Sequence, residues 1–396
     1  MAEQAPADKP SWNVMVFMGA GPVPGETDLL EAAQADIKEM KKLFETQHEG
    51  PLNLFAQLNA GGQSGRYDIR GRTEDGVPAG ERDPTNGNAL IAFMRWALGI
   101  AGDREDTNSM LVLWGHAYEF AIGRAVRPTG IDALDFSELA DVLDRIQRDR
   151  GRRLNVIGFD ACDLATIEIA YQFYPYADYM LASEIGIPIP GWPYDRVLER
   201  LVKPAGHRGM GPAELGAYVV RRYCEAYSAS DLTVSLTMLD LSRAAEIVAA
   251  VEELSRKLVI AMASDADEFS RTSESFIRSQ TAEDKPFVDV ADLCLNLFRD
   301  SADSAVRNAA EKVGDLLISP GPVFPGQSES GLGRPFILEH GRNACQTAKL
   351  QGASLYAPHV APSHDFESAD PFYGRLAFTK ETLWSDVVHL LANANA

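Results

Sequence analysis

Two short apolar runs in this chain each stop at a chemically capable residue. Met110-Leu111-Val112-Leu113-Trp114 ends at Gly115-His116, and Leu154-Asn155-Val156-Ile157-Gly158-Phe159 ends at Asp160-Ala161-Cys162. Runs of this length and composition read as buried strands. A helical pattern follows the second run at once. If the two strands are neighbours in one parallel sheet, His116 and Cys162 stand side by side at its carboxyl edge, where open α/β sheets place their sites.

The rest of the chain keeps the same alternation. Trp12 to Met18 reads as a strand, Thr27 to Gln47 as an amphipathic helix and Leu52 to Leu58 as a second strand. The polar, Gly-rich stretch from Gly61 to Asn88 reads as a hairpin or loop. A helix is predicted from Ala89 to Leu98, a long loop over 119–134 and a helix from Phe136 to Arg150. After the strand ending at Asp160 come a helix from Leu164 to Tyr174 and a strand from Asp178 to Ser183. Helices near 194–202 and 212–228 and a strand from Leu232 to Leu239 follow. Residues 241–317 read as helical and 319–335 as a Gly/Pro-rich loop. A strand at Ser354 to Ala357 and a helix from Lys380 to Leu391 close the chain. This order predicts an α/β fold with a mostly parallel sheet and helices on both faces. Crossovers should be right-handed. The expected domains are a disordered tail over 1–10, a catalytic core over 11–240, and a C-terminal part over 241–396 packed on that core.

Composition narrows the function classes. With 45% hydrophobic residues and 9% aromatics, the chain buries a substantial core. Its net charge of −20 argues against nucleic-acid partners and anionic membranes, and suits basic peptide substrates. No apolar run approaches the ~20 residues of a membrane span. The polar start MAEQAPADKP lacks the apolar stretch of an export signal, so a cytoplasmic protein is expected. Cys162, Cys224, Cys294 and Cys345 are far apart and form no Cys-x-x-Cys. They offer neither a usual zinc spacing nor a disulfide framework. No metal or cofactor is assigned. A nucleotide loop at Gly19–Gly25 fits poorly, because Pro22 and Pro24 remove two N–H donors that a phosphate cradle needs.

Several stretches resemble the clostripain family of cysteine peptidases, which share the caspase-like fold. They are LVLWGHA (111–117), GFDACDLATIEIAYQF (158–173), ADYMLASEIGIPIPGWPY (177–194), SLTMLDLSRA (235–244), FVDVADLCLNL (287–297) and ASLYAPH (353–359). They occur in the family's order, and the resemblance runs over most of the chain. The separation of His116 and Cys162 is close to the roughly 50 residues found in caspases. The resemblance implies a Cys162–His116 dyad that cleaves proteins or peptides, with Asp160 lining the pocket for a basic P1 side chain. It also raises calcium as a cofactor, and maturation by cleavage. A zymogen, or an activating or inhibiting protein partner, is expected to restrain the enzyme. Where the family has a second acid in that pocket, this chain has Pro190. Asp163, Glu184 and Asp195 are the candidate substitutes.

The residues themselves support that chemistry. Cys162 is expected just before a helix, whose dipole and unpaired N–H groups would favour a thiolate and an oxyanion. The backbone N–H groups of Cys162 and Ala117 are the oxyanion candidates. His116 would carry the proton to the leaving amine. Asp160 and Asp163 flank the cysteine and oppose its ionisation. Two readings of Asp160 stand together: cap of the following helix, or a carboxylate that pairs with guanidinium. Arg124 and Arg127 in the 119–134 stretch are either self-cleavage sites or ordinary surface arginines. A catalytically silent binding protein of the same fold is the alternative to the enzyme, and a nucleotide-binding α/β protein is the weaker one.

Overall fold

The computed structural model describes residues 12–22, 25–45, 52–71, 83–127, 130–202, 210–282, 285–318, 334–343, 350–360 and 372–393. The expected N-terminal tail and almost all of the 319–335 loop lie outside these residues. The strands are β1 (Trp12–Gly19), β2 (Leu52–Asn59), β3 (Gly65–Asp68), β4 (Asn108–Gly115), β5 (Ala117–Tyr118), β6 (Ala121–Arg127) and β7 (Gly130–Asp135). They continue with β8 (Leu154–Asp160), β9 (Ala177–Ala182), β10 (Ser235–Asp240), β11 (Phe287–Asp289), β12 (Ile337–Arg342) and β13 (Ser354–Tyr356). The helices are α1 (Leu30–Lys42), α2 (Gly87–Ala101), α3 (Phe136–Arg150), α4 (Ile167–Phe173), α5 (Tyr194–Val197) and α6 (Pro212–Ala226). They continue with α7 (Ala244–Ser264), α8 (Ala266–Arg278), α9 (Val290–Asp300), α10 (Ser304–Leu317), α11 (Ala377–Glu381) and α12 (Trp384–Asn393).

Eight strands form one sheet in the order β12-β10-β9-β8-β4-β1-β2-β3. The five central strands, β9 to β2, run parallel, and the strands outside them are antiparallel. Side chains alternate across the sheet. Val14 and Val16 of β1 join the apolar layer under α1 and α6, while Met15 and Phe17 join the layer under α2, α3 and α4. The α/β architecture with helices on both faces therefore stands. The chain order reverses between β1 and β4, so the crevice at their carboxyl ends is the switch point of the sheet. There Gly115 adopts φ +143°, and a Cβ on it would stand 2.7 Å from the Gly19 carbonyl oxygen. Glycine thus ends β4 and lets the chain turn off at His116.

Three local expectations are corrected. The 119–134 stretch is a β-hairpin, β6 paired with β7, because Phe120, Ile122 and Leu134 bury their side chains in the core. The helix expected from Leu164 begins only at Ile167, where the Thr166 hydroxyl accepts from the Ile169 N–H at 3.2 Å. The helix expected over 27–47 is confined to α1, which leaves residues 25–29 as a loop at the sheet's edge. The C-terminal part is interwoven with the main sheet. Strand β12 pairs with β10, α7 packs on α4, and the Ser354 N–H donates to the Ala165 carbonyl at 2.9 Å.

Candidate active site

Strands β4 and β8 are paired with Trp114 opposite Asp160. His116 and Cys162 leave the same sheet edge two residues beyond that pair. They line one cavity of about 90 Å³ with Thr27, Leu29, Trp114, Asp160 and the 187–191 segment. His116 Nε2 lies 2.9 Å from the Thr27 carbonyl and 3.8 Å from Glu26 Oε2. A carbonyl only accepts, so Nε2 carries the ring proton and Nδ1 is left as the base. The loop ahead of α1 thus supplies the third partner that the sequence did not reveal. The helix expected from Thr27 takes in that residue, Glu26 falls just ahead of it, and no periodicity marks either.

Cys162 sits in a turn, five residues ahead of α4, so the helix-dipole argument for a thiolate fails. Its sulfur is held instead by the 187 backbone: the Ile187 N–H donates to Sγ at 3.2 Å. Burial pushes the thiol up from its ordinary value. The Ile187 N–H and Lys285 pull the other way, and Asp163 and Asp160 reinforce burial. The nucleophile candidate is therefore a protonated thiol at neutral pH.

Asp160 is buried beside the cavity. One carboxylate oxygen, Oδ2, accepts from the Trp192 N–H at 3.0 Å and the Tyr194 hydroxyl at 3.1 Å. The other, Oδ1, is buried without a hydrogen-bond partner among the described residues. Asp160 does not cap α4, since Thr166 does. Burial raises its pKa to about 7, against the two hydrogen bonds and with the help of Glu39. Gly191 permits the contact: at φ +62°, a Cβ there would lie 2.9 Å from Asp160 Oδ2. Behind Trp114, whose indole N–H donates to Asp36 at 2.8 Å, a further buried acid waits. Asp36 is raised to about 9 by burial, then by Asp160 and Glu39.

The other candidates are placed elsewhere. Asp163, with φ +61°, turns to Lys285, 2.7 Å away. Glu184 is fully buried against the C-terminal part, accepting from the Gly352 N–H at 2.6 Å and the Ser354 hydroxyl at 3.0 Å. It is not among the residues that line the cavity of Cys162 and His116, where a substrate-binding role was expected of it. Asp195 faces Lys42 at 3.9 Å. Ala117 opens β5 opposite Ile122, outside the cavity lining. Arg124 and Arg127 belong to β6, paired with Ala133 and Gly130. Among the described residues no group of three or more His, Cys, Asp or Glu is placed to hold a metal ion. The N-terminus of α1 is met by Asp28, whose carboxylate accepts from the Leu30 N–H at 2.9 Å. An acid in that place is unsuited to a phosphate.

Comparison with known proteins adds four findings. Clostripain from Hathewaya histolytica is 23% identical over 329 residues, covering 71% of this chain. The chain spans 60% of that relative's length. A secreted C11 cysteine protease from Bacteroides thetaiotaomicron, solved with an irreversible peptide inhibitor, superposes with a TM-score of 0.59. That match covers 96% of this chain and 99% of the other, at 16% identity. An inactive zymogen C11 protease from Parabacteroides distasonis gives 0.58 at 14% identity, covering 94% and 98%. The expectation of a cytoplasmic protein is overturned by the first of these structures, a secreted protease whose fold this chain shares almost end to end. The sequence model of the Clostripain family matches residues 23–389, nearly the whole chain. The chain belongs to the clostripain family.

Proposed function

We propose that this chain is a cysteine endopeptidase that works through Cys162 and His116 and cleaves after a basic residue. The observation that carries the reading is the convergence of both side chains, with Asp160, on one cavity at the switch point of the sheet. The Cys162 sulfur attacks the scissile carbonyl carbon while its proton passes to His116 Nδ1. The same proton then goes to the departing amine, leaving an acyl-thioester on Cys162. Water, deprotonated by the now neutral His116, hydrolyses that ester and returns the proton to the thiol. The Thr27 carbonyl steadies the imidazolium through Nε2–H.

Asp160 Oδ1 suits the guanidinium or ammonium of the P1 side chain. That one open oxygen favours Arg over Lys, since a planar guanidinium can aim two N–H donors at it where an ammonium offers a point charge. Self-processing in the β6–β7 hairpin fits such a preference, as does control by a protein partner. The test is hydrolysis of Arg-P1 peptides by Cys162→Ala and His116→Ala. Each variant should lose activity while melting like the wild type. Near wild-type turnover by either folded variant rejects the dyad.

A further inference from the structure

Lys285 comes from the C-terminal part of the chain, in the turn ahead of β11, yet it ends beside the nucleophile. Its ammonium donates to Asp163 Oδ2 at 2.7 Å. Both partners are fixed. Asp163 follows Cys162 directly, is 8% exposed, and donates its backbone N–H to the Ile185 carbonyl at 3.2 Å. On the other side, the Lys285 carbonyl accepts from Gln280 Nε2 at 3.0 Å, and the Pro286 carbonyl accepts from the Ala357 N–H at 2.8 Å. Asp163 is thus buried next to the cysteine in the chain with its carboxylate on Lys285, whose own backbone is anchored on both sides.

The charged and titratable groups around the thiol come from four elements. Asp160 and Asp163 share its own segment; His116, Tyr118 and Glu119 follow β4; Tyr223 comes from α6; Lys285 comes from the turn ahead of β11. In this set Lys285 is the permanent cation. An unneutralised Asp163 would oppose the ionisation that attack requires. We propose that Lys285 is a positioning residue for the nucleophile: it neutralises Asp163 and so lets Cys162 ionise. This rests on the reading that Cys162 is the nucleophile.

The test follows alkylation of Cys162 by iodoacetamide against pH, read by peptide mass, in the full chain. Lys285→Met should shift the profile upward by about half a unit to one unit, the exposure of the lysine limiting the effect. Below the thiol's midpoint that means roughly three- to tenfold slower labelling. Lys285→Arg should label like the wild type. The double variant Lys285→Met/Asp163→Asn should recover the wild-type profile, and asparagine tolerates the left-handed backbone there. The proposal is overturned if folded Lys285→Met superimposes on the wild type. It is equally overturned if the double variant stays as slow as the single, which would make the lysine's role structural. Hydrolysis surviving in Cys162→Ala would instead reject the nucleophile assignment, whatever the labelling profiles show.

Discussion

At the residue scale, Asp160 shows how environment sets the charge of the residue proposed to recognise P1. Burial raises its carboxyl to about 7, so without a cation beside it the group is partly protonated at neutral pH. A P1 cation favours the charged form. Turnover of Arg-P1 substrates, as kcat/KM, should therefore rise as pH passes up through about 7, while neutral-P1 substrates lack that rise. Asp160→Asn should remove it and lower kcat/KM for Arg substrates about 10- to 150-fold, as expected from the loss of about 1.5–3 kcal/mol of charge-assisted hydrogen bonding. Equal losses for Arg and neutral P1 residues would make Asp160 structural. A second test concerns Glu26, whose carboxylate stands 3.8 Å from His116 Nε2. If it steadies the imidazole, Glu26→Gln should cut kcat about ten- to hundredfold with KM little changed, and Glu26→Asp should recover part of it. A change confined to KM would remove Glu26 from this role. His116, Asp160 and Cys162 were legible in the sequence because each stands at or just past the end of an apolar run. The destinations of Asp163 and Glu184 were not, since a turn and a distant partner decide which way those side chains face.

At the element scale, the central parallel strands and helix α3 were legible, while β11, β12, the β6–β7 hairpin and the element junctions were not. Helix α3 was predicted to the residue: Asp135 accepts from the Ser137 and Glu138 N–H groups at its start, and Gly151 takes the left-handed conformation at its end. The start of α4 was misplaced because apolar residues continue from Leu164 through the turn, and only the Thr166 cap marks the boundary. The β6–β7 hairpin was read as a loop because its apolar alternation is confined to its base. That correction bears on processing. Arg124 stands inside the ladder opposite Ala133, whereas Arg127 pairs with Gly130 at the hairpin's end. Paired backbone must open before a peptidase can hold it extended, and the end of a hairpin opens first. Self-cleavage should therefore fall after Arg127 in preference to Arg124. Intact-mass spectrometry of wild type should show two associated fragments with Arg127 as a new C-terminus, and Cys162→Ala should stay whole. A fully active, uncut wild-type chain counts against this step.

At the scale of the whole molecule, acidity and burial combine into a pH dependence of stability. Burial raises Asp36 to about 9, Asp160 and Glu168 to about 7, and Asp289 to about 6. Glu184 is raised well above its ordinary value, first by burial and then by Asp289, with which it shares a hydrogen bond. That bond joins the segment after β9 to the start of α9, where Asp289 caps the helix by accepting from the Asp292 N–H at 2.7 Å. His340 lies 3.9 Å from Glu184 and is lowered to about 4, by burial and then Arg342, so it stays neutral above that pH. In each raised carboxyl the folded state holds the proton more tightly than the unfolded state. The stability they contribute is fully present below their unfolded values of about 4 and is lost as pH rises through the folded values. Asp103 acts in the opposite sense: burial raises it, but bonds to Arg150 and Arg152 outweigh burial and lower it. Its contribution is lost only as pH falls below its ordinary range. The melting temperature should therefore peak in mildly acid solution and fall from about pH 6 to pH 9. Self-repulsion of a chain carrying a net charge of −20 acts in the same direction. Glu184→Gln separates the two causes. The amide can donate to Asp289 without needing a proton from solution, and its carbonyl can still accept from the Gly352 N–H. The variant should lose less melting temperature than wild type between pH 6 and pH 9 in scanning fluorimetry. Parallel curves for the two proteins would assign the decline to net charge and remove the Glu184–Asp289 bond from the account.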